Sequence, residues 1–188
     1  MINVAVVVIG VLSLVNFTLT FAVIRQVRRY GEVLAGRGAG RPQPAWHLQA
    51  GSPVREFTAT TVSGGRVSLS DLIGARSLVA FFAVGCPPCR AQLPEFARYA
   101  TSFPGGAAQV LAVVVGREGK REETADDYVR ELAGVAAVVV EPLGGPTAQA
   151  FSVSGYPTIY LLDELGRIET SGTAVRQVAA AAPAAAPA

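Results

Sequence analysis

Three regimes of hydrophobic patterning succeed one another along the chain. Residues 2–24 carry no charged side chain, and an uncharged apolar run of that length is enough to cross a bilayer as one helix. The polar Asn3, Ser13, Asn16, Thr18 and Thr20 are too few to forbid it. No basic stretch precedes the run and no clear small-residue cleavage motif follows it, so an uncleaved anchor fits better than a signal peptide. Residues 31–51 are rich in Gly, Pro, Arg and Ala and read as a tether. From Gly51 onward, short apolar runs alternate with turn-forming and amphipathic stretches, as in a globular domain.

Within that domain the runs over 77–84, 108–115 and 135–140 are continuously apolar and β-favouring, the mark of strands buried on both faces. Between the first two, Leu93, Phe96, Ala97, Ala100 and Phe103 recur at helical spacing, and Pro94 predicts a kink in that helix. Between the second and third, a charged loop over 116–121 leads into a helix over 122–132 with Ala125, Val129 and Leu132 inward. Two short strands over 57–62 and 66–69 flank a Ser63-Gly64-Gly65 turn. Later come a helical turn over 147–151, a hairpin of strands over 158–162 and 167–170, and a closing helix over 173–182. This order predicts an α/β three-layer sandwich: a mixed central sheet with helices on both faces. The domain boundaries that follow are an anchor over 1–25, a tether over 26–50, the α/β domain over 51–178 and an Ala/Pro tail over 179–188.

Charge changes the picture in one respect. The formal net charge is +2, but five of the sixteen basic residues lie between residues 25 and 41, opposed only by Glu32. From Gly51 the chain holds eleven basic and thirteen acidic residues, a formal −2. The basic excess belongs to the segment beside the anchor, where anionic headgroups would attract it, and nucleic-acid binding has no support.

Chemistry concentrates in residues 85–96, GCPPCRAQLPEF, which hold the only two cysteines, Cys86 and Cys89. They follow a buried strand and open a helix, with Pro87 and Pro88 where a first turn tolerates missing N–H groups. A helix N-terminus favours thiolate over thiol, so Cys86 is the candidate attacking sulfur and Cys89, one turn on, the resolving one. Arg90 and Arg98, in the same helix, would add to this where they face the sulfurs. Two alternatives compete: half of a zinc site, or inert structural cysteines. No second CxxC exists and the only histidine, His47, falls in the tether, so metal: none is the expectation for the site residues. A CxxC at this junction reads as redox.

These residues resemble the thioredoxin superfamily, and within it the membrane-anchored thiol–disulfide oxidoreductases of the TlpA/ResA type. The resemblance spans about 51–178 and rests on FFAVGCPPCRAQLPEF and on FSVSGYPTIYLLDELGRI, residues 151–168. Methylamine-utilisation accessory proteins share a comparable anchor and CPxC layout. The resemblance implies a cis Pro157 facing the sulfurs, with Gly85, Pro87, Pro88, Tyr156, Pro157 and Thr158 shaping a groove for a polypeptide substrate. It implies no cofactor, protein thiols or disulfides as partners, and an electron donor in the membrane or in solution. Two departures stand out: Gly85 replaces the usual aromatic before the first cysteine, leaving a less hydrophobic surface, and Ala80 replaces the buried carboxylate of thioredoxin. Glu141, at the end of another parallel strand, is the spare candidate for a proton acceptor.

Two other functions are weighed against this one. A peroxiredoxin-type peroxidase needs Thr or Ser three residues before its reactive cysteine, where this chain has Ala83. A thiol metallochaperone for a soft ion such as copper(I) would use the same two sulfurs, with Met1 the only methionine to help. On sidedness two warrants oppose each other. Arg25, Arg28 and Arg29 follow the anchor, so the positive-inside rule favours the cytoplasmic face, whereas the family resemblance favours the extracytoplasmic face.

Overall fold

The computed structural model describes residues 47–116 and 124–181. The anchor over 1–25, the tether as far as residue 46, the charged loop over 117–121 and the tail beyond 181 lie outside the described residues. Among the described residues, no helix is long and apolar enough to cross a membrane.

Strands β1 (Thr58–Thr60) and β2 (Arg66–Ser68) form an antiparallel hairpin; β1 is shorter at both ends than the sequence pattern predicts, and β2 starts at Arg66 as expected but stops one residue sooner. Thr61 leaves it to bridge Val139, and the Val62 N–H donates to the Val138 carbonyl at 2.8 Å. The hairpin thereby covers part of the outer edge of the main sheet. That sheet is mixed and runs β5-β4-β3-β6-β7. Strands β3 (Ser77–Ala83), β4 (Val110–Gly116) and β5 (Ala137–Pro142) are parallel, with Phe81, Val113 and Val139 in register. Strands β6 (Thr158–Leu162) and β7 (Ile168–Gly172) add antiparallel on the other side of β3. The mixed sheet read from the sequence is therefore present.

Alternation along β3 sorts the layers, because neighbouring residues of a strand face opposite ways. Phe82 meets Phe96 of helix α1 (Pro87–Thr101) at 5.4 Å and Tyr128 of helix α2 (Ala125–Leu132) at 6.5 Å. Phe81 instead meets Phe151, which follows helix α3 (Pro146–Ala150), and Tyr160. Helix α4 (Val175–Ala181) packs on β6 and β7 beside α1. It extends past the expected domain end at 178, where Val178 is fully buried.

Several boundaries differ from the sequence reading for identifiable reasons. Strand β4 starts at Val110 because 106–109 wind into a 3₁₀ turn entered through Gly105, whose φ of 83° favours glycine. Strand β5 starts at Ala137 because the N–H groups of Val135 and Ala136 both return to the Leu132 carbonyl, closing α2. In α2 the residues fully inside are Tyr128 and Leu132; Ala125 and Val129 are only half-buried. Helix α1 carries Pro94 midway along its length at an exposed position, where the missing N–H costs one intrahelical bond. At the other end, contact with the domain begins before Gly51: Leu48 packs on the core and its N–H donates to the Tyr160 hydroxyl at 3.2 Å.

Two acidic caps make the fold sensitive to acid. The Thr124 N–H donates to Asp127 Oδ2 at 2.8 Å at the start of α2, and Ser68 N–H does the same for Asp71 at 2.8 Å. These hydrogen bonds hold both carboxyls below their ordinary pKa. Such groups stabilise the fold above their unfolded pKa and lose that contribution as pH falls through the lowered folded value. Thermal melts of Asp127→Asn should therefore differ from wild type at neutral pH and converge with it below about pH 4. A constant gap across that range would refute the role.

Candidate active site

The sulfur pair is built by the junction between β3 and α1. Strand β3 ends at Ala83, and Gly85, at φ 68°, turns the chain in the left-handed region that a side-chain-bearing residue avoids. This gives Gly85 a backbone reason for its place. Cys86 is the N-cap of α1, with extended backbone. Since Pro87 and Pro88 have no N–H, the first donor of the helix is Cys89, and its N–H points at Cys86 Sγ at 3.3 Å. The first main-chain bond follows, from Arg90 N–H to the Cys86 carbonyl at 3.1 Å.

The two sulfurs are joined as a disulfide, with Cα atoms 5.2 Å apart. They are unequal in access. Cys86 is half-buried between exposed Pro87 and the rest of the site, whereas Cys89 is completely buried. Behind Cys89 the Ala83 N–H lies 3.5 Å from its Sγ, and the Ala83 carbonyl accepts the Tyr128 hydroxyl at 3.3 Å. The sequence reading missed Tyr128; its only signal was a large aromatic amid the acids of α2.

The opposite wall comes from the segment entering β6. The Tyr156–Pro157 bond is cis, and the Tyr156 carbonyl lies 3.7 Å from Cys86 Sγ. Pro157 is buried. Thr158 is buried too, and its hydroxyl donates to the Gly155 carbonyl at 2.7 Å, so it braces the loop and does not line an open groove. Burial raises the Tyr156 phenol above its ordinary pKa, and the negative charge of Glu141 raises it further.

Of three candidate residues, two have other partners than the sulfurs and one lies far from them. Arg90 reaches α2, 3.2 Å from Glu131 and over the Tyr128 ring, instead of turning to the sulfurs. Arg98 lies in the last turn of α1, about 18 Å along the axis from Cys86 at ~1.5 Å per residue, too far to act through water. Glu141 is buried with both carboxylate oxygens engaged: Oε2 accepts the Thr147 N–H at 3.0 Å and Oε1 the Ala148 N–H at 2.8 Å. Both bonds come from the first turn of α3, so the carboxylate is engaged with that helix.

The described fold matches known proteins over most of its length. The model of the AhpC/TSA family matches residues 50–171. The thioredoxin-like protein YneN of Bacillus subtilis is 29% identical over 122 residues, covering 65% of this chain and 70% of that protein. The thiol-disulfide oxidoreductase ResA of the same organism is 27% identical over 139 residues, covering 74% of this chain and 71% of ResA. Among solved structures, the thioredoxin domain of a thiol-disulfide oxidoreductase from Bacteroides vulgatus superposes with a TM-score of 0.55 at 24% identity, covering 70% of this chain and 93% of that one. A thioredoxin-family thiol:disulfide interchange protein from Chlorobium tepidum gives 0.52 at 22%, covering 70% and 91%. At these identities the structures speak for the fold alone.

Proposed function

Because the chain belongs to the AhpC/TSA family and is a thiol–disulfide oxidoreductase of thioredoxin fold, we propose that it exchanges disulfides with protein substrates through Cys86 and Cys89 while tethered to a membrane by residues 1–25. The observation that carries this reading is the asymmetry of the pair: Cys86 is open at a helix N-terminus beside the Tyr156 carbonyl, and Cys89 is sealed behind it.

In the reducing direction, the Cys86 thiolate attacks one sulfur of a substrate disulfide. That S–S bond breaks, and the departing substrate sulfur takes up a proton. The Cys89 sulfur, as thiolate, then attacks Cys86 Sγ, the mixed disulfide breaks, and the second substrate sulfur leaves and is protonated. Two electrons have passed from the pair to the substrate. The Ala83 N–H supports negative charge on Cys89. An extended substrate segment lies along the loop at Tyr156 and Pro157, with Gly85, Pro87 and Pro88 as the facing wall. A peroxidase reading is disfavoured because Ala83 offers only a buried methyl where a peroxide-binding hydroxyl would be needed.

On the positive-inside rule we infer a domain on the cytoplasmic face, since Arg25, Arg28 and Arg29 directly follow the apolar run. There the pair rests as the dithiol and works as a reductant. Fusing the C-terminus to a phosphatase active only outside the membrane, and separately to a protein fluorescent only when folded inside, should give fluorescence without phosphatase activity. Phosphatase activity alone would put the domain outside, dependent on electrons passed across the membrane by a partner.

A further inference from the structure

We propose that Glu141 is a positioning residue for disulfide exchange: buried at the end of β5, it holds the loop that presses the Tyr156 carbonyl against Cys86. The inference rests on the oxidoreductase reading above and extends it to a group outside the sulfur pair.

The connection can be followed bond by bond. Glu141 Oε1 accepts the Ala148 N–H at 2.8 Å, and the Ala148 carbonyl accepts the Val153 N–H at 2.8 Å. Val153 stands two residues before Gly155, where the loop to Pro157 begins. Glu141 Oε2 meanwhile holds Thr147 at 3.0 Å. A helix of five residues has little stability of its own, so its place is fixed by what grips its ends. Gly145 shows how closely the carboxylate is seated. A Cβ on Gly145 would lie 2.6 Å from Glu141 Cδ and 2.7 Å from Oε2, so only glycine leaves room for this carboxylate. The chain between α3 and the loop is held a second time, by the Tyr160 hydroxyl donating to the Phe151 carbonyl at 3.1 Å. The influence of the Glu141 charge on the Tyr156 phenol is a second sign that the carboxylate lies close to this loop.

If the loop receives the substrate backbone, loosening it should weaken substrate binding while leaving the chemistry of Cys86 alone, because the donor at Cys86 Sγ comes from α1. In Glu141→Gln one oxygen is replaced by an NH₂ that faces an N–H donor, so one of the two buried bonds is lost. With the full-length chain and insulin as the probe, we expect kcat/KM for disulfide reduction to fall about tenfold, carried by KM, with kcat nearly unchanged. Alkylation of reduced Cys86 by iodoacetamide should stay within about twofold of wild type. Gly145→Ala, which pushes the carboxylate aside, should reproduce the effect, and the double variant should be no worse than either single one. If Glu141→Gln fails to fold, Glu141→Asp, one methylene shorter, carries the same expectation. A wild-type KM in the folded variant overturns the proposal, and so does a loss of alkylation equal to the loss of insulin reduction. A wild-type chain that leaves insulin intact would sink the oxidoreductase reading itself, and is distinguished by the control alone.

Discussion

Cys86→Ser should abolish disulfide exchange, and Cys89→Ser should leave the chain covalently held to its substrate through Cys86. Both expectations come from access and electrostatics together. Cys86 is open to an incoming sulfur and receives the Cys89 N–H at 3.3 Å, while Cys89 is fully buried against Ala83. With Cys86 gone, no nucleophile faces the substrate, and turnover of insulin should drop by about three orders of magnitude or more. With Cys89 gone, the mixed disulfide has no internal attacker and should persist on non-reducing gels. In the Cys89→Ser protein, alkylation of Cys86 should follow an apparent pKa below the free-thiol value of about 8.5. Adducts found mainly on Cys89 in the Cys86→Ser protein would reverse the order of attack, and an unshifted pKa would remove the helix-terminus argument.

The largest loss of stability is expected from Phe151→Ala. The Phe151 ring sits 5.2 Å from Phe81, 5.4 Å from Tyr160 and 5.7 Å from Phe57, tying the central strand, β6 and the segment before the hairpin to the end of α3. Removing a fully buried phenyl ring forfeits its transfer free energy and leaves a cavity, at a cost of about 3–5 kcal/mol. Urea titration of the full-length chain would measure it. A loss below about 1 kcal/mol would mean that the ring is not part of the packed core.

How much of this could be read in the sequence depended on whether the signal was local. The runs that became β3 and β4 were legible because strands buried on both faces are apolar throughout, whereas β5, equally apolar in sequence, leaves Val140 exposed. Cys86, Cys89 and the proline pair were legible because a motif at a strand–helix junction is a contiguous feature. Pro157 was not legible from local chemistry and entered only through the family resemblance, since nothing near residue 157 says that it faces residue 86. Tyr128 escaped, and Glu141 was read only as a spare proton acceptor, for the same physical reason. Their partners, the Ala83 carbonyl and the backbone of α3, are main-chain groups, which leave no trace in side-chain patterning. The end of the tether was set a few residues too late for a related reason: nothing local marks Leu48 as a core contact, and only its neighbour Tyr160 reveals where it packs.

The antiparallel pairing of β3 with β6, with Phe81 opposite Thr158, has a consequence for how the chain is made. The cysteines leave the ribosome 70 residues ahead of the loop that will face them, since Tyr156 follows Cys86 by that distance. At about 5–20 residues per second this is a window of roughly 4–14 s in which both thiols exist without their cover. During synthesis any passing oxidant can reach Cys89, the sulfur later sealed away. With only two cysteines in the whole chain, though, early oxidation within it can close just one ring. That ring is the one the finished protein uses, so a premature reaction among its own thiols leaves the nascent chain correctly paired.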